Sequence, residues 1–256
     1  MDQKNLWPRN KNYSMLKKID TKAPKSVNKE KIKAKTKKLH EKLEALHKMM
    51  RAENKHSLLV VFQGMDASGK DGSVDKLYNG LSPMAANVHA FKAPSELEAS
   101  KNFLWRIHQL APSTGFIQIF NRSHYEDILV PSVNRTITPT EASKRFKHIN
   151  DFEELLTDSG TKVVKFYLHI SRDEQTKRFN ERLTNVEKKW KYSCNDLVVA
   201  EQWDEYMKVY ENIFQESKIK WNIIPADDKW YRDYLIADKL VDVLKGLKME
   251  YPNTLK

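Results

Sequence analysis

Cysteine is almost absent from the sequence: Cys194 is the single one among 256 residues. One thiol excludes an internal disulfide and a cysteine-rich zinc site, and it suits a reducing compartment. Long apolar runs are also missing, since none approaches the ~20 residues that span a bilayer. The N-terminus lacks the apolar segment of a signal peptide. We therefore expect a soluble, cytoplasmic protein with no membrane partner.

Acidic residues are fewer than basic ones, 34 against 45, which gives a net charge of +11 and an isoelectric point near 9.4. Such a surface favours polyanions, including nucleic acid, anionic lipid and phosphate-rich substrates. No DNA- or RNA-binding motif is recognisable, and the basic residues do not gather around an aromatic stacking platform. We expect no nucleic-acid partner, although charge alone keeps a nucleic-acid-binding protein as an alternative.

The chain divides into a polar N-terminal arm and one long region of alternating apolar and amphipathic segments. Residues 1–28 predict an extended arm, and residues 29–54 carry apolar side chains at helical spacing. Strand-like apolar runs follow at residues 58–62, 88–91, 116–120, 163–170 and 221–224. Helical stretches lie at residues 73–79, 96–109, 140–157, 172–181, 200–216 and 231–247. This alternation predicts a single α/β domain over residues 29–256, with a parallel five-stranded sheet and helices on both faces in three layers.

The first strand-like run ends in Gly64-x-x-x-x-Gly69-Lys70, the pattern of a phosphate-binding loop, or P-loop. Such a turn points backbone N–H groups inward, and the start of the next helix adds partial positive charge. Lys70 would add its ammonium group to the same cradle. The predicted phosphate-binding residues of this turn are Gly64, Ala67, Ser68, Gly69, Lys70, Asp71 and Gly72. The alternative is an ordinary strand-to-helix turn that contains glycine.

Two acids, Asp66 and Asp71, are unusual in such a loop. The position after the loop lysine is commonly Ser or Thr, whose hydroxyl binds Mg²⁺. A carboxylate beside phosphate oxygens is repulsive unless a cation lies between them. Either these acids point away from the phosphates or they hold Mg²⁺ against them, and we expect Asp66 to be a metal ligand.

Polar residues crowd the end of the third strand-like run, in Asn121-Arg-Ser-His-Tyr-Glu-Asp127. The carboxyl ends of parallel strands form the ligand-binding edge of such a sheet. We expect Arg122 to contact a phosphate, and Glu126 and Asp127 to hold metal or orient an acceptor. Asn121 is a weaker metal ligand than the Asp that usually ends this strand, and we expect it to bind phosphate or nucleotide. Each residue alone could instead cap a helix or form a salt bridge. His124 is interpreted as structural rather than as a general base.

Basic residues recur between residues 172 and 191, where Arg178 and Arg182 share one helix face. Phosphoryl transfer needs cations on the migrating group, and a mobile basic helix closing over the phosphates would supply them and expel water. The alternative is a surface helix with ion pairs to its own acids. The position downstream of a P-loop favours the lid, with Lys188 as a further phosphate contact. The tryptophans, Trp190 among them, are interpreted as mostly core residues, and the alternative for one or two of them is contact with a nucleotide base.

These stretches together resemble the polyphosphate kinase 2 family. The matching segments lie at residues 63–72, 103–106, 120–127, 168–171, 190–193 and 224–231. The resemblance implies a P-loop kinase-like fold, a helical lid at about residues 177–195, and homo-oligomers that are dimers or tetramers. It also implies Mg²⁺, with Mn²⁺ as a substitute, and reversible phosphoryl transfer between inorganic polyphosphate and nucleoside mono- and diphosphates.

The resemblance also assigns roles by position. Asp66 and Lys70 match the metal ligand and the phosphate-binding lysine of the family's loop. Arg122 matches its strand-end arginine. Arg178 and Arg182 match lid arginines. With Glu126, these are the expected catalytic residues.

The segment 121–127 resembles the class III branch, which phosphorylates both AMP and ADP, to ADP and ATP. Other branches carry Asp where this chain has Asn121 and a different residue where it has Glu126, so we expect Glu126 to set which acceptor is used. Asn102 and Ala200 depart from the residues that relatives often show, and the second bears on polyphosphate affinity. An ATP-dependent nucleoside monophosphate kinase with the same loop and lid is the alternative enzyme.

Overall fold

A five-stranded sheet forms the centre of the protein, in a computed structural model that describes residues 15–191 and 199–253. The strands are β1 (Ser57–Gly64), β2 (Ala86–Ala90), β3 (Ile117–Asn121), β4 (Thr161–His169) and β5 (Trp221–Pro225). Every neighbouring pair runs parallel, in the order β2-β3-β1-β4-β5. The predicted strands and the parallel sheet are therefore confirmed.

In the residues that the structure describes, one α-helix precedes the first strand, one follows the last strand, and the others lie in the connections between strands. Their bounds are α1 (Lys29–Glu53), α2 (Lys70–Tyr78), α3 (Glu96–Ala99), α4 (Trp105–His108), α5 (Glu126–Val133), α6 (Pro139–Asp158), α7 (Arg172–Thr184), α8 (Trp203–Glu216) and α9 (Lys229–Gly246). Short 3-10 turns lie at Leu16–Lys18 and Lys189–Lys191. Parallel neighbours need crossover connections, and these place the helices over the sheet.

The predicted helix at residues 96–109 is wrong, because this segment forms the two short helices α3 and α4. Ser95 and Glu98 make a capping box that starts α3. Asn102 then interrupts the segment, since its side-chain oxygen accepts a hydrogen bond from the Leu104 backbone N–H at 3.1 Å. Local side-chain-to-backbone bonds of this kind compete with helical hydrogen bonds.

The central strands lie entirely within the core. All eight residues of β1 are buried, and so are eight of the nine in β4. In the sheet register, Val60 pairs with Ile119 on one side and with Val164 on the other. Side chains of a strand point alternately to both faces, so continuous burial means that helices cover both faces of the sheet. The three-layer α/β arrangement is confirmed.

The carboxyl ends of the parallel strands share one edge of the sheet, and this edge collects the predicted site residues. The P-loop follows β1, Asn121 ends β3 with Arg122 directly after it, and α7 follows β4. The predicted lid therefore begins within α7 and continues through the 3-10 turn at Lys189–Lys191. Residues 192–195 of that prediction lie outside the described residues, and closure of the lid stays a prediction.

The predicted N-terminal arm is described from residue 15 onward. Leu16 is buried in the core cluster, and α1 begins where the Asn28 side chain accepts a hydrogen bond from the Lys31 N–H at 3.0 Å. The boundary at residue 28 and the single domain over 29–256 stay predictions. Within the described part of the chain, no helix is both long and apolar enough to cross a membrane.

Candidate active site

The P-loop, residues 64–70, joins the buried end of β1 to the start of α2. Gly64 and Gly69 have φ values of 152° and 97°. A Cβ atom on Gly64 would lie 2.7 Å from Ser68 Oγ and 2.8 Å from the Leu168 carbonyl oxygen. A Cβ atom on Gly69 would collide with the Arg232 guanidinium. Both positions therefore require glycine, which explains the spacing seen in the sequence.

Lys70 folds back over the loop that carries it. Its side chain is buried, and Nζ donates to the carbonyl oxygens of Gly64 and Met65 at 2.7 and 3.1 Å. Burial lowers the pKa of Lys70 to about 8, and the nearby Asp66 carboxylate limits this shift. The ammonium group is thus held at the mouth of the loop, where a bound phosphate would strengthen its charged form.

Asp66 and Arg122 form an ion pair beside the loop, with 3.0 Å between Arg122 Nη2 and Asp66 Oδ1. Arg122 has a left-handed backbone (φ 63°), which turns the chain sharply after β3. Burial acts to raise the pKa of Asp66, but the charges of Lys70 and Arg122 outweigh it and the pKa lies below its ordinary value. Asp66 is therefore an ionised carboxylate in direct reach of the cradle.

Glu126 is the first residue of α5. Burial raises the pKa of Glu126, while Arg122 and Lys70 act to lower it. Glu126 is not among the residues that line the cleft described below, but its carboxylate is close enough to Arg122, Lys70 and Asp66 to feel their charges.

Asn121 and Asp71 are brought together across the edge of the sheet. The Asn121 amide donates to Asp71 Oδ1 at 2.9 Å. Other branches are expected to carry a carboxylate at position 121, and a carboxylate there would repel Asp71. The amide of Asn121 can instead donate a hydrogen bond to it.

Arg178 lies on α7, is buried, and donates hydrogen bonds to the P-loop backbone. Its Nη1 donates to the carbonyl oxygens of Ala67 and Ser68, both at 2.9 Å. Its Nη2 donates to Ala226 O at 2.7 Å, and its Nε donates to Glu174 Oε1 at 2.8 Å. The guanidinium is thus engaged with the loop backbone.

Arg182 lies one turn further along α7 and has a different setting. It is half-buried, lines the cleft, and places its guanidinium over the Phe179 ring at 5.2 Å. Lys188 also lines the cleft, and its Nζ lies 2.7 Å from Glu181 Oε2.

One cleft of about 620 Å³ brings these residues together. The predicted residues that line it are Asp66, Ala67, Ser68, Gly69, Lys70, Asp71, Gly72, Asn121, Arg122, Arg178, Arg182 and Lys188. Gly64 shapes the loop beneath it. Its cationic lining consists of Lys70, Lys92, Arg122, Arg178, Arg182, Lys188, Lys229 and Arg232, against the acids Asp66, Asp71 and Glu181. A cleft with this excess of fixed positive charge is suited to a phosphate-rich ligand.

Three cations of this lining are absent from the sequence prediction: Lys92, Lys229 and Arg232. Arg232 is buried, donates from Nη1 to Gly69 O at 3.3 Å, and pairs with Asp233 at 2.7 Å. Lys229 begins α9 just after the end of β5, on the same sheet edge as the P-loop. The sequence contained one signal for Lys229: it follows a strand-like run and lies within the segment 224–231, which resembles the family.

Trp190 does not belong to the core. It is 77% exposed and lines the cleft, so it is not one of the tryptophans that pack in the core. Its position follows the basic end of the lid segment, where an aromatic side chain can contact a ligand. His124 and Asp127, in contrast, contact Glu153 and Arg106 and do not line the cleft.

A parallel sheet with a P-loop after its central strand and a cationic cleft at that edge defines a kinase-type P-loop enzyme. Residues 26–252 match the sequence profile of the polyphosphate kinase 2 family, and the chain belongs to that family. The resemblance seen in the sequence is thereby confirmed.

Two relatives and one crystal structure are similar to this chain over most of its length. An AMP/ADP-polyphosphate phosphotransferase of Meiothermus ruber is 44% identical over 217 residues, covering 84% of this chain and 81% of the relative. An ADP-polyphosphate phosphotransferase of Rhodopseudomonas palustris is 38% identical over 229 residues, covering 84% and 79%. The polyphosphate kinase 2 of Arthrobacter aurescens TC1 superposes with a TM-score of 0.89 at 36% identity, covering 92% of this chain and 87% of that one.

Proposed function

We propose that this protein catalyses reversible phosphoryl transfer between inorganic polyphosphate and nucleotides, with AMP and ADP as acceptors. The observation that carries the proposal is the cleft of about 620 Å³, in which cations surround a P-loop. A long polyanion is held by many fixed cations at once, whereas a mononucleotide needs few. The two relatives described above, an AMP/ADP-polyphosphate and an ADP-polyphosphate phosphotransferase, support the same substrates.

In the proposed step, an oxygen of the acceptor's terminal phosphate attacks the terminal phosphorus of polyphosphate. A P–O bond to the nucleotide forms, the P–O bond to the next phosphate of the chain breaks, and polyphosphate shortens by one unit. Lys70, Arg122 and Arg182 neutralise the charge that gathers between donor and acceptor. The acceptor oxygen is already ionised near neutral pH, so this step needs no general base.

Mg²⁺ suits the donors of this site. Asp66 is held ionised, and it lies close enough to Glu126 for its charge to act to raise the pKa of Glu126. Mg²⁺ is usually bound by one or two carboxylates together with substrate phosphates. Among the described residues, no group of three or more His, Cys, Asp or Glu could hold a metal ion.

We infer that Asp66 and Glu126 hold Mg²⁺, for which Mn²⁺ can substitute. When bound, the ion would neutralise phosphate oxygens and keep Glu126 ionised despite its burial.

Glu126 is also our candidate for the choice between AMP and ADP. A monophosphate must place its phosphate where the terminal phosphate of a diphosphate would otherwise lie, which leaves a gap of about one phosphate group. A carboxylate that holds a metal ion or its water shell can fill this gap. The alternative is that Glu126 only stiffens the turn through Arg122. Glu126→Asn should depress AMP phosphorylation more than ADP phosphorylation with the same polyphosphate donor. Equal losses would assign Glu126 to the structural role.

Product analysis tests the proposed reaction. The protein is incubated with Mg²⁺, polyphosphate and either AMP or ADP, and nucleotides and polyphosphate are both quantified. Loss of polyphosphate as ADP and ATP appear supports the proposal. Transfer to AMP from ATP but not from polyphosphate would favour the nucleoside monophosphate kinase instead.

The remaining expectations belong to the same proposal: a cytoplasmic homo-oligomer, dimer or tetramer, with no nucleic-acid partner. An electrophoretic shift of labelled polyphosphate that duplex DNA does not compete would support the last point. Light scattering of the purified protein measures the oligomeric state.

A further inference from the structure

The segment that precedes the family match makes specific contacts with the catalytic edge of the sheet. We call residues 16–23 the N-terminal clasp; the family match begins at residue 26. Leu16, 1% exposed, anchors the clasp in the core. Its backbone N–H donates to Glu211 Oε1 at 2.8 Å, and its carbonyl accepts from His169 Nε2 at 3.1 Å. A carbonyl can only accept, so His169 carries its proton on Nε2.

A reciprocal pair of hydrogen bonds joins the clasp to the loop after β5. Thr21 Oγ1 donates to Asp227 Oδ2 at 2.8 Å, and the Asp227 N–H donates to Thr21 O at 2.9 Å. The Ala23 N–H donates to Asp228 Oδ2 at 3.0 Å. The loop at residues 226–228 is thus fixed by backbone and side-chain atoms of the clasp.

The same loop holds the start of α7 and its buried arginine. The second carboxylate oxygen of Asp227 accepts from the Ser171 N–H at 2.8 Å, and Ser171 is the N-cap of α7. Arg178 Nη2 donates to Ala226 O and Asp227 O at 2.7 and 3.1 Å, while Nη1 of the same guanidinium donates to the P-loop carbonyls. A continuous series of hydrogen bonds therefore runs from Thr21 through Asp227 to the phosphate cradle.

We propose that the N-terminal clasp positions the catalytic edge, with Thr21 as a positioning residue that orients Asp227 and through it α7 and Arg178. The expected effect on kcat rests on the proposed phosphoryl transfer. The expected effect on the order of α7 rests only on the hydrogen-bond series. Thr21 is not among the residues that line the cleft, and its hydrogen bonds to Asp227 are the contacts through which we expect it to affect turnover. Catalytic geometry depends on such supporting contacts, since small displacements of a reacting group slow the reaction.

The test is the full-length Thr21→Val variant, which keeps the shape of the side chain but removes its hydroxyl. Loss of one hydrogen bond should lower kcat by about three- to tenfold, with the KM for nucleotide little changed. Hydrogen exchange at the backbone amides of residues 171–178 should become faster. Thr21→Ser restores the hydroxyl and should return both values toward those of the wild type. Ser26→Ala removes a hydroxyl from an exposed position of the same arm and is the matched control.

Two outcomes would overturn the inference: unchanged exchange at residues 171–178 in Thr21→Val, or equal changes in Ser26→Ala. The exchange measurement needs no turnover, so it separates failure of the clasp from failure of the proposed reaction. If exchange rises and kcat does not fall, the clasp stabilises α7 without positioning catalytic groups, and the kinetic part is rejected.

Discussion

At the residue scale, Arg178 and Arg182 lie on the same face of one helix but differ in burial and in what they contact. They lie four residues apart on α7, yet Arg178 is buried against P-loop carbonyls while Arg182 is half-buried at the cleft. A guanidinium whose donors are occupied by backbone oxygens orders the loop. One that lines the cleft can contact phosphate oxygens directly.

Replacement of each arginine by alanine should separate these effects. Arg178→Ala removes charge-assisted hydrogen bonds from buried carbonyls and should lower the free energy of unfolding by about 1–3 kcal/mol as well as turnover. Arg182→Ala, at a half-buried side chain, should lower the free energy of unfolding by less than Arg178→Ala does, but it should lower kcat by about 10²–10³-fold, as removal of a preorganised donor does. Calorimetry and steady-state kinetics measure the two quantities. Equal loss of stability in both variants would contradict the distinction.

Lys70 is the cation held closest to the P-loop backbone, so its removal should abolish transfer. Lys70→Ala should lose about 10³-fold or more of the activity, the scale found for a key cation in phosphoryl transfer. Circular dichroism should show an intact fold. Lys76→Ala, an exposed lysine on the same helix, is the control and should retain activity. A Lys70 variant that keeps a tenth of the wild-type rate would refute the assignment.

At the element scale, the features that could be predicted from the sequence are those determined by a local residue pattern. Apolar runs identify β1 and β4 because both are buried on both faces, and the spacing of Gly64 and Gly69 identifies the loop because a side chain would collide there. The break at Asn102 was missed because it arises from one side-chain hydrogen bond within a helical pattern. The place of Arg232 in the site depends on a contact across 163 residues, which no local pattern contains.

A buried polar network connects α6 and β4 to the turn after β3. Glu153 Oε2 accepts from Lys165 Nζ at 2.6 Å, and Oε1 accepts from Tyr125 Oη at 3.0 Å and lies 3.3 Å from His124 Nε2. His124 and Tyr125 belong to the turn that carries Arg122 and do not line the cleft, so this network holds that turn through buried side chains. Buried polar groups that satisfy one another in this way rigidify the surrounding elements.

Glu153→Gln should reveal the stability that this network supplies. Burial acts to raise the pKa of Glu153, but the His124 hydrogen bond and the Lys165 charge outweigh it, and the folded-state pKa lies below 4.5. Its contribution is therefore present above pH 4.5 and is lost as the pH falls through the folded-state pKa. At pH 7 the variant leaves Lys165 without its anionic partner and should lose about 3–5 kcal/mol of unfolding free energy.

Denaturant titrations over a range of acidic and neutral pH measure both effects. The variant should also show a shallower loss of stability on acidification than the wild type. Glu154→Gln, which breaks an exposed pair with Lys218, is the control and should cost less than about 1 kcal/mol. A Glu153 variant no less stable than this control would show that the buried pair contributes nothing net.

At the scale of the whole molecule, the charge of +11 is partly concentrated in one cleft. Lys229 illustrates the crowding: burial and the neighbouring charges of Arg178 and Lys188 lower its pKa. Cations held this close repel one another, and a bound polyanion relieves that repulsion. The cleft therefore favours ligands in proportion to the number of phosphates that they place in it.

Salt should consequently weaken polyphosphate binding more than mononucleotide binding. Between about 50 and 200 mM salt, the KM for long polyphosphate should rise steeply because several ions are displaced from the polyanion, while the KM for AMP should change little. Lys229→Gln should flatten the slope of log KM against log salt for polyphosphate by about 1, the change expected for one lost phosphate contact. Lys162→Gln is the matched control, since Lys162 is exposed near the start of β4, at the opposite end of the sheet. Equal slopes for polyphosphate and AMP, or an equal flattening in both variants, would mean that net charge rather than the cleft attracts the donor.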